Sequence, residues 1–262
     1  MVNMESKMLI PCKFDRIGFL ENTKNQIIKI SNNKQQFGVI DTMGKVVVDL
    51  KYDAIGVFKE GRLAVKRKGK WGFVDPHGVE IIPCRYTKVN SFSNKIASVK
   101  LERKWGFIDD QGNVVIDFKY RDVGNFSDGL AWVKNVKGAG YINKKGEWAI
   151  PIQFDKAFDF EQNVARVVLD GEWGLINRQG DYFLKPKYSD ITKFSQYGTA
   201  VVRHGTSNFR YSLINRTGNI LTNKKYKSMG TFSEGMAPVK YKGKYGFINH
   251  RGKLVIDPQY SK

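Results

Sequence analysis

Short β-rich apolar runs alternate with turn-forming residues along almost the whole chain, and one pattern of positions recurs. An aromatic residue, or Ala in one unit, followed by a small residue opens an apolar run at Phe37-Gly38-Val39, Trp71-Gly72-Phe73, Trp105-Gly106-Phe107, Ala139-Gly140-Tyr141, Trp173-Gly174-Leu175, Tyr211-Ser212-Leu213 and Tyr245-Gly246-Phe247. The central residues lie 34, 34, 34, 34, 38 and 34 positions apart. A period held over this length favours one repeated architecture over two unrelated domains. Each run ends in Asp or Asn, with Gly three residues later, from Asp41/Gly44 and Asp75/Gly78 through to Asn249/Gly252. An Asx side chain accepts from backbone N–H groups and the Gly supplies a positive φ, so every unit carries a hairpin turn. A second β-rich run follows, such as Val114-Val115-Ile116, and leads to an aromatic that often precedes Asp. Next come a Phe (Phe58, Phe92, Phe126, Phe160, Phe194, Phe232) and a third strand of the kind Gly129-Leu130-Ala131-Trp132-Val133. The recurring aromatics are expected to bury one face of each small sheet against its neighbours.

Trp105-Gly106-Phe107-Ile108-Asp109, with Gly112, Val115-Ile116, Tyr120 and Phe126-Ser127-Asp128-Gly129-Leu130-Ala131, resembles the WG-repeat family of bacterial proteins. The likeness runs from about Ile10 onward. It implies a single all-β repeat domain over 10–262, with 1–9 as an N-terminal extension, used for binding and carrying no catalytic motif. The units depart from the pattern where Ala139 and Tyr211 replace Trp, where Ser212 replaces Gly, and where Asn94-Lys95 replaces the Asp-Gly pair.

The chain both begins and ends in mid-repeat. Ile10-Pro11-Cys12-Lys13-Phe14-Asp15 matches Ile82-Pro83-Cys84-Arg85-Tyr86, so the leading and trailing half-units add up to about one unit. That permutation is the one by which a closed seven-bladed β-propeller completes its last blade and removes the open edge. A 34-residue unit is short beside the roughly 40–45 residues of a WD-type blade. This leaves three-stranded blades or an open β-solenoid as the alternative. Cys12 and Cys84 share one repeat position two units apart, too far for a disulfide, and read as small hydrophobes.

Charge changes this picture most. The chain has 44 Lys plus Arg against 25 Asp plus Glu, a net charge of +19, above the roughly 2 to 8 that solubility asks of a small domain. The excess is uneven: 11 basic and 4 acidic groups fall in 51–100, 12 and 2 in 201–262, and 14 of each in 101–200. Basic residues gather in the loop before each aromatic-Gly pair. The candidate contact residues are Lys66, Arg67, Lys68, Lys70, Arg103, Lys104, Lys137, Arg203, Arg210, Lys240, Lys242, Lys244, Arg251 and Lys253. Asp170-Gly171-Glu172 interrupts the series, and the longest such loop runs from Arg203 to Arg210.

Chemistry beyond charge is sparse. His77, His204 and His250 read as turn or loop residues, no Cys/His metal spacing occurs, and no Gly-rich loop opens a helix. No cofactor and no enzymatic activity are expected. The N-terminus shows no signal-type h-region and no run approaches a membrane span, so the expected compartment is the cytoplasm, without membrane attachment. The favoured expectation is a non-catalytic scaffold whose basic rim contacts nucleic-acid backbone, alone or as an accessory subunit of a bacterial nucleoprotein such as a CRISPR effector. The alternative is a module that docks an acidic protein or self-associates as a homodimer, in which Trp132, Trp148, Phe209 and Tyr241 would matter more if they are exposed rather than in the core.

Overall fold

The computed structural model describes residues 14–19 and 27–261. Chain-consecutive strands form seven antiparallel sheets, six of four strands and one of three, and the described residues contain no helix. The third sheet shows the plan: Lys88–Val89, Ile96–Leu101, Lys104–Asp109 and Val114–Tyr120. The expected N-terminal half-unit from Ile10 to Lys13, and with it Cys12, lies outside the described residues, as does the 1–9 extension. The chain divides into two compact units, Met1–Asn135 with Lys144–Glu147 and Val136–Asn143 with Trp148–Lys262.

Each sheet takes its form from three devices. The first is the Asx turn between the third and fourth strands. Asp75 Oδ1 accepts from the N–H groups of His77 and Val79, and the same pair of bonds recurs at Asp41, Asp109, Asn177, Asn215 and Asn249. His77 is thus a turn residue. At Asp109 burial raises the carboxyl pKa, but bonds from Asn113, Gln111 and Gly112 outweigh it and hold the group below its ordinary value. The second device is a tight turn before the second strand, where Asn94 and Lys95 adopt φ of 55° and 64° and so keep the bend that Asp128-Gly129 makes in the following repeat. Asn94 and Lys95 also donate backbone N–H bonds to Glu60 of the preceding sheet, at 2.9 and 2.8 Å.

The third device explains the aromatic-Gly pair. The fourth strand bulges over the third, and a Cβ at Gly106 would stand 2.7 Å from the Ile116 carbonyl oxygen. The backbone approach is as close at Gly38, Gly72, Gly140, Gly174 and Gly246. Ser212 is the exception, and its sheet is the three-stranded one. There the fourth strand is reduced to isolated bridges, Tyr211 with Tyr226 and Ile214 with Ile220. Ser212 Oγ meets His204 Nε2 at 3.0 Å, and the next segment keeps single bonds to the strand, such as Leu221 N–H to the Leu213 carbonyl at 2.8 Å. His204 closes the strand Thr199–His204, so the sequence reading that put it in a loop is corrected.

Successive sheets stack through the Asx-turn glycine. In the first unit a Cβ at Gly78 would overlap the Val47 carbonyl of the sheet before, and Gly112 rests on Ile82 in the same way. In the second unit Gly180 sits on Ile150, Gly218 on Leu184 and Gly252 on Leu221. The core therefore lies between sheets rather than within one. Phe73 meets Phe92 of the next sheet with ring centroids 4.9 Å apart, and Phe107 meets Phe126 at 5.1 Å. In the second unit Tyr141 packs on Phe160 at 4.9 Å. Val164, Leu175, Leu184, Tyr188, Ile191 and Phe194 join two successive sheets there in one cluster.

Candidate functional site

The tight hairpin joining the second and third strands lies at one end of each sheet, and the Asx turn lies at the other. At the hairpin end of the first unit, Lys68 (φ 50°) and Gly69 (φ 74°) form the turn between Arg62–Arg67 and Lys70–Val74. Its Gly69 N–H is held by Asp53 Oδ2 at 3.0 Å. Just behind the turn, Lys66, Trp71 and Tyr86 stand opposite one another across three strands. Lys100, Trp105 and Tyr120 repeat the row in the next sheet. Directly opposed residues on antiparallel strands share a face. The Lys66 and Lys100 ammonium groups accordingly stand 5.9 Å from the Trp71 and Trp105 ring centroids. In the second unit Lys240, Tyr245 and Tyr260 form the same row, with the ammonium 4.9 Å from the Tyr245 ring. Each pair lays an aliphatic stem on an aromatic surface and keeps the charge in solvent.

A second basic position, which the sequence reading missed, flanks this row. Lys51, Arg85, Lys119, Lys187 and Lys225 each directly precede the aromatic that ends the unit. Four of them sit 5.1–5.7 Å from the ring they precede. The signal was a Lys-Tyr or Arg-Tyr dipeptide closing five of the units. Burial pushes the Tyr52, Tyr120 and Tyr188 phenols above their ordinary range, so these rings add no negative charge beside the cations.

The structure sorts the expected contact residues. Lys66, Lys68, Lys70, Arg103 and Lys104 share the hairpin end of two adjacent sheets in the first unit, and Lys240, Lys242 and Lys244 share that of the last sheet. Arg67 is at this end too, but it is neutralised by Glu80 at 3.0 Å. Arg203 turns inward: it donates to Ser189 Oγ and the Ser189 carbonyl and lies 4.7 Å from the Phe209 ring centroid. Arg210 is partly spent on Asn208 and the Phe209 carbonyl. Lys137 belongs to the second unit, in the loop before Ala139–Ile142. Arg251 and Lys253 are in the Asx turn of the last sheet and so at the opposite end from Lys242, separated by the length of the strand Lys244–Asn249. Equal charge and nearness in sequence had grouped them with the rest, but a strand carries the chain to the far end at about 3.3 Å per residue.

Of the four aromatics that would matter for docking if exposed, Trp148 is exposed at 46% and Phe209 at 37%. Trp132 and Tyr241 are half-buried. Cys84 is a half-buried free thiol whose pKa burial pushes up, in keeping with a packing role. Among the described residues no group of three or more His, Cys, Asp or Glu could hold a metal ion, and no helix is long and apolar enough to cross a membrane.

The second unit holds two sizeable cavities. One of about 520 Å³ is lined by Val201, Leu213, Met229 and Phe232 with polar neighbours. The other, of about 470 Å³, is lined by Arg210, Lys225, Lys227, Lys240, Tyr241, Lys242 and Gly243 and has no acidic residue in its wall. Burial, and then the positive Lys225 and Lys187, pulls the His204 imidazole below its ordinary 6.5. The folded state therefore favours the neutral ring, and as pH falls the unfolded chain takes up the proton first. Stability from His204 is present above 6.5 and is lost as pH falls through that value toward the lower folded pKa. The urea midpoint of His204→Gln should fall less than that of the wild type between about pH 7.5 and about pH 5. Equal falls would show that folding does not lower the pKa of the ring.

This is a repeat protein built from short antiparallel sheets, with cations over aromatic rows at the hairpin end. The chain belongs to the WG containing repeat family, whose model matches residues 37–71, 71–105, 105–136, 140–173, 173–205, 211–245 and 245–262. No curated protein matches it. Among solved structures it is similar to a eukaryotic initiation factor, at 11% identity over 90% of this chain and 74% of the other, with a TM-score of 0.57. At that identity the likeness shows a shared fold. The computationally designed Ika8 protein aligns at 15% identity over 94% and 88% of the two chains, with a TM-score of 0.47. Kluyveromyces lactis Hsv2p aligns at 10% over 89% and 92%, also at 0.47.

Proposed function

We propose that this protein is a non-catalytic scaffold that holds the backbone of a nucleic acid on the hairpin ends of its sheets, alone or as an accessory subunit of a nucleoprotein effector. The supporting observation is the repeated row of a cation over aromatic residues, Lys66-Trp71-Tyr86, Lys100-Trp105-Tyr120 and Lys240-Tyr245-Tyr260, with a further Lys or Arg before the closing Tyr of the first two. In the first unit, charges on two successive sheets suit contact with regularly spaced phosphates. Lysines that rest on rings lose less freedom on binding than extended ones. Nothing in the row has the bidentate geometry that reads base edges, so binding should be indifferent to sequence.

Fluorescence anisotropy with labelled single-stranded DNA, duplex DNA and RNA of unrelated sequences tests this. Affinity should be similar across sequences and should fall steeply and linearly on a log–log plot against salt, by about 0.7–0.9 per phosphate neutralised. No binding at low salt, with tight salt-sensitive binding to an acidic protein instead, would overturn it.

A further inference from the structure

In two sheets an aspartate makes an anion site at the hairpin, whereas the same position is Thr87, Arg121 and Ser189 in the third, fourth and sixth sheets and a lysine in the last. In the second sheet Asp53 Oδ2 accepts from the Gly69 N–H at 3.0 Å, and in the fifth Asp155 Oδ2 accepts from the Gly171 N–H at 3.2 Å. The backbone around each carboxylate is fixed the same way: Asp53 N–H donates to the Lys66 carbonyl and Asp155 N–H to that of Val168. In the last sheet the matching bond is present, from Lys227 N–H to the Lys240 carbonyl at 2.8 Å, and Gly243 lies sixteen residues on, as Gly69 and Gly171 do from their aspartates. Position 227 is a lysine. The carboxylate that caps the turn in the second and fifth sheets is here replaced by a cation, whose Nζ donates to the uncharged Asn208 Oδ1 at 3.2 Å, and Gly243 lines the cleft of about 470 Å³ with Arg210, Lys225, Lys227, Lys240 and Lys242.

We infer that this cleft binds a short inorganic phosphate chain, whose oxygens take the place of the missing carboxylate at the Gly243 turn. Five cations without an acidic wall residue call for a ligand of several negative charges. The volume exceeds what one phosphate group fills, so a chain of about three phosphates satisfies more of the lysines than orthophosphate does. The ring that could stack a base is already engaged: Lys224 and Lys242 stand 4.9 and 5.8 Å from the Tyr241 centroid, and Tyr226 meets it edge-on. A nucleoside attached to the chain therefore gains nothing.

The inference rests on the phosphate-binding reading only for its choice of oxyanion, and its test separates the two. Calorimetric titration of the full chain with inorganic tripolyphosphate should give saturable binding of one ligand per chain, with orthophosphate at least about tenfold weaker. ATP should bind no more tightly than tripolyphosphate. Lys227→Asp restores the cap seen at Gly69 and should lose at least about tenfold in tripolyphosphate affinity while keeping its urea midpoint. Lys242→Gln, at an exposed turn, should lose affinity likewise and serves if the first variant fails to fold. The inference is overturned by no saturable binding, by equal affinity for orthophosphate, by markedly tighter ATP, or by a folded variant that binds like the wild type. A labelled oligonucleotide is titrated in parallel. Tripolyphosphate binding without oligonucleotide binding removes the nucleic-acid reading alone, and the converse removes this one alone.

Discussion

Replacing Lys66, Lys68 and Lys70 with glutamate is expected to abolish nucleic-acid binding at physiological salt. The change lowers the net charge from +19 to +13, and all of it falls on one hairpin end. If each lysine neutralises one phosphate, the salt slope drops by about one per residue, about three in all, and affinity at low salt falls by at least about thirtyfold. Arg67 is left in place because its charge is spent on Glu80. Replacing Arg251 and Lys253 instead, at the opposite end of the last sheet, should change affinity less than about threefold, as a general change of net charge would. Equal losses in the two variants would show that binding follows net charge and not the hairpin row.

Gly72→Ala should cost about 3 kcal/mol of stability, although the substitution adds a single methyl group. The new Cβ would run into the Ile82 carbonyl and stand 2.7 Å from Cys84 N and the Pro83 carbonyl carbon. These are backbone atoms, so the bulged fourth strand has to move off the third, and it carries Ile82 and Tyr86 out of the core they share with Phe73 and Phe92. Ser212→Gly, at the position where that strand is already displaced, should change stability by less than about 1 kcal/mol, since it removes little beyond the bond to His204. Urea unfolding followed by tryptophan fluorescence measures both. A Gly72→Ala midpoint like that of the wild type would mean that the bulge does not need the close approach.

The repeat, the all-β class and the turns were legible because each rests on local chemistry. An Asx side chain bonds N–H groups two and four residues away, and a glycine supplies a φ few other residues tolerate, so Asp75 and Gly78 declare their turn without help from the rest of the chain. The candidate site was legible in part. Lys70, Lys104 and Lys244 were singled out because they share a repeat position. Lys51, Arg85 and Lys119 were passed over because the dipeptide that carries them lies at the end of a strand and not in the loop that drew attention.

By itself, the sequence determined the period of 34, the order of strands and turns, and the excess of positive charge. Only the tertiary structure decided which charges act together. It separated Arg251 from Lys242 by the length of a strand, spent Arg67 on Glu80 and Arg203 on Ser189, and gathered Lys227 with Arg210, Lys225, Lys240 and Lys242 in one cleft. The physical reason is that charge is counted along the chain, whereas its effect depends on distance and on the nearest opposite charge or hydrogen-bond partner. In a sheet those neighbours come from strands far apart in sequence.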